Sequence, residues 1–291
     1  MPNHYQNVSF DLPHIQLQGL RGGTPGGPFL LLLHGWLDNC HSFVPMLPYL
    51  QEYDWVAVDF AGHGHSGHRS PDAHYYFIDY VFDLQSLIHQ QDWQDIHLIG
   101  HSMGGYVAQM LTACIGSRIR SLVCIEAFGL AVGQASDALE HLKVGFASRF
   151  RQQGRTLPTY KDLRHLEHAR ALAGDFAVEY AELLLERNLY QVDDGFRWRT
   201  DPRVRAPSPF RFSEAQVPSL LTGIVQPMQV IVGEEGHKEV GEALLKWRDD
   251  VDHLYESQLP GGHHLHMQYP EQTAKVIIEH FVNNQRTSVP N

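Results

Sequence analysis

The run Leu98-Ile99-Gly100-His101-Ser102-Met103-Gly104-Gly105 constrains the fold of this 291-residue chain more than any other segment. It is a G-x-S-x-G pentapeptide entered from Asp95-Ile96-His97-Leu98-Ile99, which alternates and is rich in strand formers. It is left through Tyr106 to Cys114, where Val107, Met110, Leu111 and Cys114 recur at helical spacing and are expected on one buried face. A strand turning sharply into a helix forces its middle residue into a strained conformation. Side chains two positions before and after would meet neighbouring backbone, hence the glycines. The turn lifts the Ser102 hydroxyl out at the carboxyl end of a sheet. It also aims the Met103 N–H at whatever faces that hydroxyl.

Strands and helices alternate on both sides of this turn. Two short strands are expected before the Gly22-Gly23-Thr24-Pro25-Gly26-Gly27 stretch. Phe29–Leu33 is apolar throughout, as a central strand covered on both faces would be. A short helix is expected over Phe43–Leu50, a strand over Trp55–Phe60, and a helix over Tyr75–Gln90 with Ile78, Val81, Phe82, Leu84 or Leu87, and Ile88 inward. Ile119–Ile125 reads as a strand. From about 135 to 190 only helical periodicity appears, followed by an irregular Arg- and Pro-rich stretch, Trp198–Phe212. Alternation resumes with Met228–Val232 (strand), Val240–Trp247 (helix), His253–Leu259 (strand) and Glu271–Val282 (helix). This pattern predicts an α/β fold: a mostly parallel central sheet, helices on both faces, and a helical lid inserted between two strands. The expected core is residues 1–130 and 222–291, with a helical cap over 131–221.

Charge supports the same division. Residues 130–222 hold 13 Lys/Arg against 12 Asp/Glu, so the formal net charge of −11 lies in the flanks. An acidic chain is a poor partner for nucleic acid or anionic membrane. No apolar run is long enough to span a bilayer, and Met1–Asn7 lacks a leader pattern. Three cysteines, Cys40, Cys114 and Cys124, form no disulfide framework. Cys114 and Cys124 read as core fillers, and a reducing cytoplasmic setting is expected.

A serine hydroxyl needs a base to take its proton. Leu259-Pro260-Gly261-Gly262-His263-His264-Leu265-His266 follows the last predicted strand, and His263, directly after the Gly-Gly turn, is the expected base. His264 and His266 are assigned to packing or hydrogen bonding. The acid that holds the imidazole is expected at Glu126, which ends the strand before the lid; Glu235 or Glu234, after the strand that follows it, is the alternative. The oxyanion donors are expected to be the N–H groups of Met103 and Trp36, with Gly35 allowing close approach. Trp36, His101 and Phe128 are expected to touch substrate, and Cys40 to line the pocket. His63, His65 and His68 have metal-like spacing, but the glycines between them point to a turn, and no metal or cofactor is expected.

Together these residues resemble the α/β-hydrolase superfamily along essentially the whole chain: His34-Gly35-Trp36, Asp59 with Gly62-His63-Gly64-His65-Ser66, the Ser102 pentapeptide, and Gly262-His263. Leu33–Asn39 and Asp201-Pro202-Arg203 with Pro207-Ser208-Pro209-Phe210 look most like the serine hydrolase-like proteins. The superfamily often places its acid in a G-x-x-D pattern, but here Gly233 is followed by Gly236. Glu126 instead resembles the arrangement of certain haloalkane dehalogenases. Those enzymes use an Asp nucleophile and a halide-binding Asn, where this chain has Ser102 and Trp36, so dehalogenation is not implied. The resemblance implies a serine hydrolase acting on carboxylic esters or related acyl compounds. Rival uses of the same residues are C–C bond, lactone or perhydrolase chemistry, or ligand binding without turnover. The expected partners are a small acyl substrate and, at most, further copies of the chain in a homo-oligomer. The arginines Arg197, Arg199, Arg203, Arg205 and Arg211 would suit an anionic substrate, or simply pair on the surface.

Overall fold

The computed structural model describes residues 5–152 and 157–285; of Met1–Asn7, where no leader pattern is expected, residues 1–4 lie outside this range. Its strands in chain order are β1 (Tyr5–Asp11), β2 (Gln16–Gly23), β3 (Phe29–Leu33), β4 (Asp54–Asp59), β5 (Ile96–His101), β6 (Ile119–Ile125), β7 (Leu189–Val192), β8 (Gly195–Trp198), β9 (Met228–Gly233) and β10 (Leu254–Leu259). Eight of them form one sheet in the order β1-β2-β4-β3-β5-β6-β9-β10. β1, β2 and β4 pair antiparallel, and every pairing from β4 to β10 is parallel. Parallel strands place all their carboxyl ends on one edge, where Leu33, His101, Ile125 and Gly233 deliver the loops that follow.

The apolar β3 is buried on both faces, as its composition predicts. Leu31 and Leu33 point into one core with α1 (Phe77–Gln90), α2 (Met103–Ile115) and, further along the chain, the helix Lys238–Trp247. Leu30 and Leu32 point into the other, packed with the C-terminal helix Pro270–Gln285 through Ile277 and Phe281. Period-two alternation thus supplies two cores from five residues. Among the described residues no helix is long and apolar enough to cross a membrane.

Several local expectations are corrected. Phe43–Leu50 is not a helix but two 3-10 turns, Cys40–Phe43 and Leu47–Tyr49, because Pro45 and Pro48 lack the amide donors an α-helix needs. In α1 the inward residues are Tyr80, Val81, Leu84, Leu87 and Ile88; Ile78 and Phe82 are exposed, with Ile78 on a cavity wall and Phe82 against His14. Cys114 lies in the last turn of α2 and is exposed, unlike Cys40 and Cys124. The middle segment carries α3 (Ala138–Gln152), α4 (Leu163–Gly174) and α5 (Val178–Asn188), but also the unanticipated β7–β8 hairpin. Its signal was present: Asp194-Gly195 sits at the turn, with Gly195 at φ 140°. The chain continues through α6 (Val217–Leu221), α7 (Lys238–Trp247), α8 (Leu265–Gln268) and α9 (Pro270–Gln285).

α4 and α5 reach the loops at the carboxyl edge. Asn39 donates to Leu184 O (2.9 Å), His264 Nδ1 lies 3.1 Å from Gly174 O, and Arg187 Nε donates to Asp59 (2.7 Å).

Candidate active site

Ser102 closes β5 with φ 50° and ψ −118°, a conformation costly for a residue with a side chain. Its N–H donates to Ile125 O at 2.9 Å, which pins the turn to β6. Gly104 permits it: a Cβ there would stand 2.1 Å from Leu33 O. The Ser102 Oγ lies 2.9 Å from His263 Nε2, and His263 Nδ1 lies 3.2 Å from Glu126 Oε2. His263 reaches Ser102 from the loop after β10.

Glu126 is buried, with φ 53°, and accepts two further bonds: from Gly233 N–H (2.7 Å, Oε1) and His237 N–H (2.9 Å, Oε2). Burial alone would raise its pKa. The hydrogen bonds from His263, Gly233 and His237 outweigh it and hold the carboxyl below its ordinary value. Burial lowers the pKa of His263 below that of free imidazole; the hydrogen bond to Glu126 opposes this, while His101 and His237 add to it. Glu234 and Glu235 are exposed, and among the described residues no hydrogen bond joins either side chain to His263.

The loop after β3 carries the second set of donors. Phe60 N–H donates to His34 Nε2 (3.0 Å), so the His34 proton sits on Nδ1, 2.7 Å from Gly35 O. That bond holds the Gly35 carbonyl on one side of its peptide and turns the Trp36 N–H to the other. Among the described residues neither the Trp36 nor the Met103 N–H has an acceptor. Both residues line an apolar cavity of about 360 Å³, and Trp36 also lines a second, of about 500 Å³, that holds Ser102 and His263. The Trp36 ring is half exposed, and its Nε1 donates to Val204 O at 3.2 Å.

Phe128 and Cys40 need correction. Phe128 is 1% exposed and packs in the core with α2, because the chain turns inward after Glu126. Cys40 is fully buried, its N–H donating to Asp59 Oδ1 (2.8 Å). His101 lines the larger cavity, but its ring is fully buried among other histidines, 4.9 Å from His263 and 4.2 Å from His266. His63 is buried too, and burial lowers its pKa to about 3.

Two residues here had no role in the sequence reading. His237 stacks on His263, centroids 3.8 Å apart and planes 7° apart. Asp38 is buried and joins four elements. His264 Nε2 lies 3.2 Å from it, His101 Nδ1 3.6 Å, and Arg170 of α4 pairs with its other oxygen. Burial alone would raise the Asp38 pKa; the nearby His264 and Arg170 hold it well below the usual range. Asp38, His101 and His264 are close enough to share a cation, but Arg170 already supplies positive charge to that carboxylate. Asp38 falls within the Leu33–Asn39 run, but that run does not reveal this role, since its partners come from positions 101, 170 and 264.

A sequence model of the alpha/beta hydrolase fold family matches residues 28–270. The chain is 28% identical to a serine hydrolase-like protein of Danio rerio, over 92% of this chain and 86% of that protein. It is 26% identical to a 2-(acetamidomethylene)succinate hydrolase of Mesorhizobium japonicum, over 94% and 95% respectively. The crystal structure of the hypothetical protein PA1622 from Pseudomonas aeruginosa PAO1 superposes with a TM-score of 0.86 at 33% identity, covering 96% of this chain and 98% of that one.

Proposed function

Because this chain belongs to the alpha/beta hydrolase fold family, we propose that it is a serine hydrolase that cleaves carboxylic esters or related acyl compounds through Ser102, His263 and Glu126. Family and relatives support hydrolysis; the ester class and the residue roles are our reading. The observation that carries it is the unbroken path from Ser102 Oγ to His263 Nε2 (2.9 Å) and from His263 Nδ1 to Glu126 Oε2 (3.2 Å).

His263 takes the Ser102 proton as Oγ attacks the substrate carbonyl. Negative charge develops on the carbonyl oxygen and is met by the Trp36 and Met103 N–H groups. The tetrahedral species collapses, the C–O bond breaks, and His263 returns the proton to the leaving alcohol. Water then attacks the acyl-enzyme with His263 as its base, the acyl–Oγ bond breaks, and His263 returns the proton to Ser102 Oγ as the acid departs. Glu126 stays ionised throughout, fixing the Nδ1–H tautomer and stabilising the imidazolium. No cofactor enters this scheme. We read residues 131–221 as a cap over this site.

Intact-mass analysis after fluorophosphonate treatment tests the reading without a known substrate. A single adduct on the wild type, absent in Ser102→Ala, is the expected result. An unlabelled, folded wild type would overturn it in favour of a ligand-binding protein.

A further inference from the structure

Trp36 and Arg205 line both cavities: the one that holds Ser102 and His263, and the apolar one walled by Met103, Tyr106, Met110 and Leu130. An acyl compound seated on Ser102 with an apolar arm in the second cavity therefore passes an indole and a guanidinium that line both.

The arginines of the middle segment separate by their partners. Arg187 is tied to Asp59, Arg170 to Asp38, and Arg203 to Asp201 and to carbonyls at 69, 70 and 73. Arg197 donates to Thr159 and Arg199 to Leu189 O. These explain themselves as structural pairs. Arg205 is exposed, and its side chain has no hydrogen bond or ion pair among the described residues, although Asp175 and Glu235 line the same cavity. Arg211 lacks such a partner too, but it lines the apolar cavity alone. A guanidinium with five donors and no acceptor, on the wall shared by a nucleophile and an apolar cavity, fits a planar anion that arrives with the ligand.

We propose that the preferred substrate is an amphipathic acyl compound whose apolar arm carries a carboxylate, and that Arg205 recognises that carboxylate. The proposal rests on the serine hydrolase reading for its chemistry, but its recognition step needs no turnover.

Isothermal titration with two chain-matched ketones, 8-oxononanoate and 2-nonanone, separates recognition from catalysis. The wild type is expected to bind the keto acid about 10- to 100-fold more tightly, the range of a charge-assisted hydrogen bond. Arg205→Met should bring the ratio close to one, Arg205→Lys should leave it intermediate, and Arg197→Met should keep the wild-type ratio. Equal binding of the two ketones by the wild type, or an undiminished ratio in Arg205→Met, overturns the proposal. Fluorophosphonate labelling of the same samples reports on Ser102. Labelling with equal ketone binding sinks carboxylate recognition alone. Arg205-dependent binding without labelling sinks the hydrolase reading and supports recognition.

Discussion

Glu126 reaches His263 from the end of β6, and its carboxylate fills the space that a side chain at position 236 would need. A Cβ on Gly236 would stand 2.1 Å from Glu126 Oε1. The missing aspartate of the G-x-x-D pattern and the presence of a carboxylate at 126 are therefore one arrangement seen from two positions. Glu126→Gln should lower kcat about 10³- to 10⁴-fold, the cost of the wrong histidine tautomer, while Glu235→Gln changes it less than about threefold. Loss of turnover only in the Glu235 variant would reverse the assignment. Gly236→Ala should lower kcat about 10- to 100-fold, since Glu126 cannot withdraw without giving up the Gly233 and His237 N–H groups. An alanine variant with wild-type kcat would show that the loop yields freely. The pH profile follows from the lowered pKa of His263. Protonated His263 cannot act as a base, so the acid limb of kcat/KM should fall below the ordinary imidazole value of 6.5. Glu126 pulls that pKa up, so removing its charge in Glu126→Gln should move the limb further down.

Between elements, the buried pair of Arg187 and Asp59 joins α5 to the end of β4. Arg187 Nε donates to Asp59 Oδ2, and the same carboxylate accepts the N–H groups of Cys40 and His65, so it organises both loops that follow β3 and β4. Burial would raise the Asp59 pKa, but Arg187, His34 and these N–H groups lower it. Removing one partner leaves a charge buried without compensation. Arg187→Met should cost about 3–5 kcal/mol in urea unfolding, and adding Asp59→Asn should recover part of it. If the double variant is less stable than Arg187→Met alone, the backbone N–H bonds of Asp59 outweigh the buried charge. The β7–β8 hairpin belongs to this scale as well: it falls where the helical periodicity of 135–190 gives way to the irregular Trp198–Phe212 stretch, and Asp194-Gly195 marks its turn locally.

For the whole molecule, histidine burial sets the acid side of stability. His63, His97 and His280 are buried, and burial lowers their pKa values to about 3, 4 and 4. Their unfolded value is near 6.5, so below that pH the unfolded chain binds protons that the folded one refuses. Their contribution is complete above pH 6.5 and is lost as the pH falls from 6.5 towards 4 and 3. Near pH 5 the three together should remove about 4 kcal/mol per pH unit. Denaturant midpoints at pH 7.0, 6.0 and 5.0 should fall with increasing steepness; equal midpoints at 7.0 and 5.0 would refute the linkage.

The sequence by itself determined the sheet, its order of strands and helices, and the elbow at Ser102. Each is a local matter: an apolar run of five residues, a period of 2 or 3.6, a pair of glycines around one serine. It also brought Ser102 and His263 to the same edge, because both follow parallel strands. Tertiary structure alone decided what depends on neighbours distant in the chain. It put Glu126 rather than Glu235 against His263, through the space left at Gly236. It sent Phe128 and Cys40 into the interior and turned Ile78 out to a cavity wall. It gathered Asp38, His101, Arg170 and His264 from four elements, and it left the Arg205 side chain without a partner among the described residues. Pairing of buried charges across more than a hundred residues has no period to read, because only the folded chain brings those groups within reach of one another.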